Sequence, residues 1–224
     1  MPTLIEHLEV LRHEMEMHRN PSKAVNMANY LQNRFSCFGI KTPVRTEIQK
    51  KWFAQIKSAQ FNHWDIAFNL WNFDEREYHY IAIDLLKKVP QKQMQIDDHK
   101  FLKEILTTHS WWDSVDLIAS NYVGKYFLQF PEQIEPIIQK WSQDSNLWLN
   151  RTCLIFQLKY KDEVDFELLK QLIIKFQHHP DFFIQKAIGW SLRQYSKFNP
   201  TDVKQFINAV QLKGLALREA SKYL

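Results

Sequence analysis

Helix-start signals recur along this chain in two interleaved series, and no other feature constrains the fold as strongly. Asn62, Asp97, Pro131, Asp165 and Pro200 open successive segments at separations of 35, 34, 34 and 35 residues. Asp74, Ser110, Ser145 and Asp181 open a second series at separations of 36, 35 and 36. Asp, Asn and Ser offer a side-chain oxygen to the unpaired N–H groups of a first helical turn, and proline fits that turn because it lacks the N–H. A pair of helices repeated with this period marks an α-solenoid, in which each pair buries its apolar face against its neighbours. The expected fold is therefore all-α: a curved α-solenoid of helix pairs, an α-α superhelix.

Apolar side chains follow the helical period nearly throughout. Leu4, Leu8, Leu11 and Met15 share a stripe, as do Ile48, Trp52 and Ile56, then Ile134, Ile138 and Trp141, then Phe166, Leu169 and Ile173. Further starts are expected at Asn20-Pro21, Thr42-Pro43 and Asn199-Pro200. Residues 1–60 do not keep the repeat and read as an N-terminal helical cap, broken by the loop Phe35-Ser36-Cys37-Phe38-Gly39. Residues 61–224 carry the repeats, so residues 1–224 are expected to form a single domain.

Composition removes several function classes. The chain of 224 residues has only four glycines and contains no GxGxxG, GxxxxGK[ST] or GxSxG, the loops of dinucleotide-binding, P-loop and α/β-hydrolase folds. Nine histidines occur without HExxH or a zinc-like Cys/His spacing, so no metal site and no cofactor is expected, and the histidines are read as solvated surface. Two cysteines, Cys37 and Cys153, suit a reducing cytoplasm, with Cys153 inside an apolar helix as a small buried hydrophobe. The start lacks the pattern of a secretory signal, and apolar runs such as Tyr80-Ile81-Ala82-Ile83 are too short to span a bilayer. A net charge of +4 permits a polyanionic partner.

The repeat also tells which side chains face the same way. Tyr80, Asp116, Arg151 and Lys186 fall in register in the second series, at separations of 36, 35 and 35. Trp112 lies one turn before Asp116 and Trp190 one turn after Lys186, on the same face. A carboxylate, two cations, a hydroxyl and two large π surfaces on one face suit a polyanion that carries something cationic. Within Ser110-Trp111-Trp112-Asp113-Ser114-Val115-Asp116, Ser110 is expected to cap the helix while Trp111 and Val115 enter the core.

Five stretches carry a resemblance to a known family: Met27-Ala28-Asn29-Tyr30, Phe38-Gly39-Ile40-Lys41-Thr42-Pro43, the Ser110–Asp116 segment, Asn146-Leu147-Trp148-Leu149-Asn150-Arg151, and Phe182-Phe183-Ile184-Gln185-Lys186-Ala187-Ile188-Gly189-Trp190. Together they make the chain resemble, over essentially its whole length, the AlkD family of alkylpurine DNA glycosylases, which are built from HEAT-like helical repeats. The resemblance implies a catalytic cleft of Trp112, Asp116 and Trp190, with Arg151 holding the DNA backbone beside it. Tyr30 and Lys41 match positions in the family's DNA-facing N-terminal region, and Lys186 and Arg193 are added here as phosphate contacts.

On that reading the partner is double-stranded DNA containing alkylated purines, bound by a monomer. The reaction is hydrolysis of the N-glycosidic bond, without a lysine clearly poised for Schiff-base chemistry. Asp116 would stabilise an oxocarbenium-like sugar and the tryptophans would lay π faces against it. The competing reading is a non-catalytic helical-repeat scaffold that binds DNA or a protein in its concave face. That reading leaves the acid beside two tryptophans unexplained.

Overall fold

The computed structural model describes residues 2–224 and is all-α, a fold of helical repeats of the solenoid type. The described residues contain no strand, only an isolated bridge between Ser36 and Glu75. None of their helices is long and apolar enough to cross a membrane.

The chain packs as two compact units, divided after Val89. The first contains α1 (Leu4–Met17), α2 (Pro21–Tyr30), α3 (Thr42–Ile56), α4 (His63–Trp71) and α5 (Arg76–Lys88). Thr3 and Glu6 close a reciprocal cap at the start of α1, and Asn20 accepts from the Lys23 N–H at the start of α2. The cap of α3 is Lys41, one residue before the expected Thr42, and makes no side-chain bond. Leu8, Leu11 and Met15 are buried, as are Ile48, Trp52 and Ile56, so the apolar stripes of α1 and α3 form core.

The loop between α2 and α3 is organised from a distance. The fully buried Glu77 carboxylate accepts from the backbone N–H groups of Phe38, Gly39 and Ile40 at 3.0, 2.9 and 3.1 Å. Gly39 sits at φ +83, and a Cβ there would lie 2.2 Å from the Asn20 carbonyl oxygen, so only glycine fits.

One histidine departs from the expectation of a solvated surface. His79 is fully buried, with its ring nitrogens against the Arg76 guanidinium at 3.1 Å and the Phe73 carbonyl at 3.0 Å. Its two polar edges are satisfied inside the protein, which is what makes burial of a polar ring tolerable.

The second unit contains α6 (Asp98–Thr107), α7 (Trp112–Ile118), α8 (Gly124–Gln129), α9 (Ile134–Gln143), α10 (Leu147–Ile155), α11 (Phe166–Phe176), α12 (Phe182–Tyr195), α13 (Pro200–Ala209) and α14 (Gly214–Ala220). A π-helical stretch, Ala119–Val123, joins α7 to α8. The helix starts follow both series. Asn62, Asp97, Asp165 and Asp181 are N-caps, Pro131 opens a 3-10 turn that leads into α9, and Pro200 is the first residue of α13.

The other members of the second series are shifted by one. Glu75, Trp111 and Asn146 are the caps of α5, α7 and α10, rather than Asp74, Ser110 and Ser145. Ser110 instead donates its hydroxyl to the Leu106 carbonyl at 2.7 Å, closing off α6. Ser114 replaces it at the next helix, accepting from the Trp111 N–H at 3.4 Å and donating to the Trp111 carbonyl at 3.0 Å. The second helices of successive pairs, α7, α10, α12 and α14, lie side by side.

A candidate cleft of one carboxylate, cations and aromatic rings

Helix α7 presents alternating fates along its length. Trp111 and Val115 turn into the core, as expected, while Trp112 and Asp116 lie on the other side, Trp112 half-buried and the Asp116 side chain 14% exposed. Behind them, Trp111, Trp148 and Phe183 pack ring on ring with centroids 5.2–5.6 Å apart. This aromatic cluster locks the starts of α7, α10 and α12 together, and so sets the spacing of the residues in front of it.

Arg151 on α10 reaches across to α7. Its Nε donates to Asp116 Oδ1 at 2.7 Å and its Nη2 to Asp116 Oδ2 at 2.8 Å, a two-pronged pair of the strongest kind. Its Nη1 donates to the Phe183 carbonyl at the start of α12, so one guanidinium ties three helices. Of the residues expected in register, Asp116 and Arg151 therefore face one another. The Arg151 side chain is only 4% exposed, and three of its N–H groups serve the protein itself rather than solvent. In this structure it is first the clamp of Asp116. Burial pushes the Asp116 carboxyl above its ordinary value, and the Arg151 hydrogen bonds and charge act against that rise.

Trp112, Asp116, Arg151, Lys186, Trp190 and Arg193 line a single cavity of about 390 Å³. That volume is at the low end of the range for ligand sites. Phe182, 55% exposed, and Phe183 complete its aromatic lining. Tyr30 and Lys41 are exposed residues of the first unit, and Tyr80 is half-buried there. A larger hollow of about 580 Å³ between α9 and α11 is lined by aliphatic, amide and charged side chains and has no aromatic one.

Three cavity residues escape the sequence reading. Phe182 and Phe183 are given no role there, although Phe182 lies one turn before Lys186 as Trp112 does before Asp116. Glu219 on α14 is buried, yet it lines the cavity with Lys186 at 3.0 Å and Arg193 at 2.6 Å. Lys222 adds a third cation at 2.8 Å, and Lys222 and Lys186 hold the Glu219 carboxyl down to about 2. Gly189 permits this approach: a Cβ there would lie 2.4 Å from Glu219 Cβ and 2.8 Å from the Ala216 carbonyl oxygen.

Other reactive side chains lie outside the cleft. Cys153 is buried, with its thiol pushed up by burial, as expected for a packing residue, and Cys37 is buried in the α2–α3 loop. Among the described residues no cluster of His, Cys, Asp and Glu could hold a metal ion.

A helical-repeat scaffold thus carries, in one cavity, an acid clamped by a guanidinium beside aromatic rings and further cations. Residues 11–224 match the DNA alkylation repair enzyme family, and the chain belongs to it. A solved structure from Enterococcus faecalis, described as a predicted DNA alkylation repair enzyme, is 33% identical to it. The similarity covers 92% of this chain and 97% of that one, with a TM-score of 0.84. No curated protein matches.

Proposed function

We propose that this protein is a monofunctional DNA glycosylase that removes cationic N3- or N7-alkylated purines from duplex DNA. It acts as a monomer in the cytoplasm and uses neither metal nor cofactor. The observation that carries the proposal is Asp116, held by both oxygens on Arg151 in a cavity shared with Trp112 and Trp190. For phosphate binding alone an acid facing the cavity is unfavourable, because it repels the phosphates.

Alkylation at N3 or N7 leaves the purine positively charged, so the base departs as a neutral molecule. The electron pair of the broken N–C1′ bond stays on the base and the positive charge moves to the sugar. Asp116, ionised and fixed before reaction, stabilises that charge and orients the water that adds to C1′. The water's proton leaves to solvent, directly or through the carboxylate. Carboxylates act in a related way in glycoside hydrolysis. Trp112 and Trp190 offer π faces to the cationic lesion and sugar.

Lys186 and Arg193 take phosphate oxygens, as do Tyr30 and Lys41 in the first unit. Arg151 orients Asp116, and its remaining N–H groups add a backbone contact. The proposal is tested by incubating the protein with duplex DNA carrying N7-methylguanine or N3-methyladenine and measuring free base. Release well above that from DNA alone is expected. Tight duplex binding without release would instead establish the scaffold reading.

A further inference from the structure

Glu219 has no role in the reaction just described, yet it sits among the residues of the same cavity. Its carboxylate is 5% exposed and takes one hydrogen bond each from Lys186, Arg193 and Lys222. A lysine ammonium carries three N–H donors and a guanidinium five. One bond to Glu219 therefore leaves each cation most of its donors. The side chains of Lys186 and Arg193 remain 38% and 23% exposed, and both line the cavity. The anchor is packed in place, because α14 lies against α12 at Gly189, where no side chain would fit.

From this geometry we infer that Glu219 is a positioning residue that holds Lys186 and Arg193 at the cleft, ready for the phosphates that flank the lesion. The inference rests on the DNA-binding part of the proposed function and not on base release. Long cations lose conformational freedom when they dock on a phosphate, and prior anchoring removes part of that cost. The gain in order must outweigh the extra negative charge that Glu219 brings near DNA. The two effects have opposite signs, so measurement separates them.

The test is a double-mutant cycle on the whole protein with a plain duplex oligonucleotide, read as the dissociation constant at fixed salt. Glu219→Gln should weaken binding by about five-fold in the wild-type background, and by less than about two-fold when Lys186 and Arg193 are both alanine. Tighter binding by Glu219→Gln, or an equal loss in both backgrounds, would overturn the inference. The first outcome would make Glu219 a competitor of DNA, and the second an ordinary packing residue.

Should Glu219→Gln fail to fold, the wild-type protein decides the matter by NMR. On titration with the duplex, the Glu219 carboxylate carbon signal should barely move, because its partners stay. A large shift would mean that DNA strips the cations from it, and the inference would fall. Duplex binding with this coupling but without base release would refute the proposed reaction alone. Base release without the coupling would refute the inference alone, and a wild-type protein that binds no duplex would refute both.

Discussion

Arg151 grips both oxygens of Asp116 from a helix one full repeat away, at 2.7 and 2.8 Å and 35 residues apart in sequence. The carboxylate is thereby held in one orientation, and the guanidinium opposes the upward pull of burial on its carboxyl. A buried acid at this position would otherwise be driven toward its uncharged form.

Asp116→Asn keeps the shape and deletes the charge. Duplex binding should be at least as tight as wild type, while excision of a cationic alkylpurine should fall by about 10²–10³, as for the loss of one preorganised electrostatic group. A guanidinium left without its carboxylate should also lower the melting temperature. Single-turnover base release, corrected for spontaneous loss, together with a thermal melt checks this. Unchanged excision would remove Asp116 from the mechanism.

The pH profile should bear the mark of the same pair. Because burial raises the Asp116 carboxyl above its ordinary value of 3.8, excision should decline as pH falls through a midpoint above that value. Arg151→Lys gives up the two-pronged contact and opposes the rise less well, so its midpoint should lie higher still. A midpoint that stays put or drops would contradict the clamp.

Trp112→Ala and Trp190→Ala should each slow excision by about ten-fold, between the sizes of an exposed and a desolvated cation–π contact. Since both rings line one cavity and serve one developing charge, the double variant should lose less than the product. Melting temperatures should change little, because both side chains are only half-buried. Fully additive losses, or a collapse in stability, would return these rings to the core.

Glu219 should also be visible in acid stability. Its carboxyl is held near 2 in the folded protein against an ordinary 4.5, by Lys222 and Lys186. A depressed folded value means that the unfolded chain takes up the proton first. The stabilisation is therefore complete above about 4.5 and is lost as pH falls toward 2. Denaturant titrations of wild type and Glu219→Gln should converge over that window. A gap that stays constant down to pH 2 would show that the charge is not what stabilises.

Asp116 and Arg151 could be paired from the sequence because a repeat period is a distance in space: residues one period apart on stacked helices meet. The helix starts were legible for a local reason, the chemistry of caps. They slipped by one residue where the oxygen of Ser110 found a better partner in the preceding helix, at Leu106. Arg151 reads as a solvent-facing cation because its charge is visible in a sequence and its burial is not. Glu219 stayed hidden because it lies 33 residues beyond Lys186, out of register. Only the bare backbone at Gly189 brings α14 close enough for it to matter. His79 was misread for a similar reason, its ring nitrogens being satisfied by contacts that composition does not show.

The Glu77 carboxylate beneath the α2–α3 loop carries a consequence for how the first unit opens and closes. A turn of this size would ordinarily be held by bonds among its own few residues. Here the three N–H groups of Phe38, Gly39 and Ile40 depend on an oxygen pair 37 to 39 residues further along. Solvent hydrogen exchange at these amides should thus track the opening of the first turn of α5, not the local breathing of the loop. Glu77→Gln, which retains one acceptor, should speed exchange at all three amides together. The loop and the α5 start behave as a single cooperative element, although more than a third of the first unit's sequence lies between them.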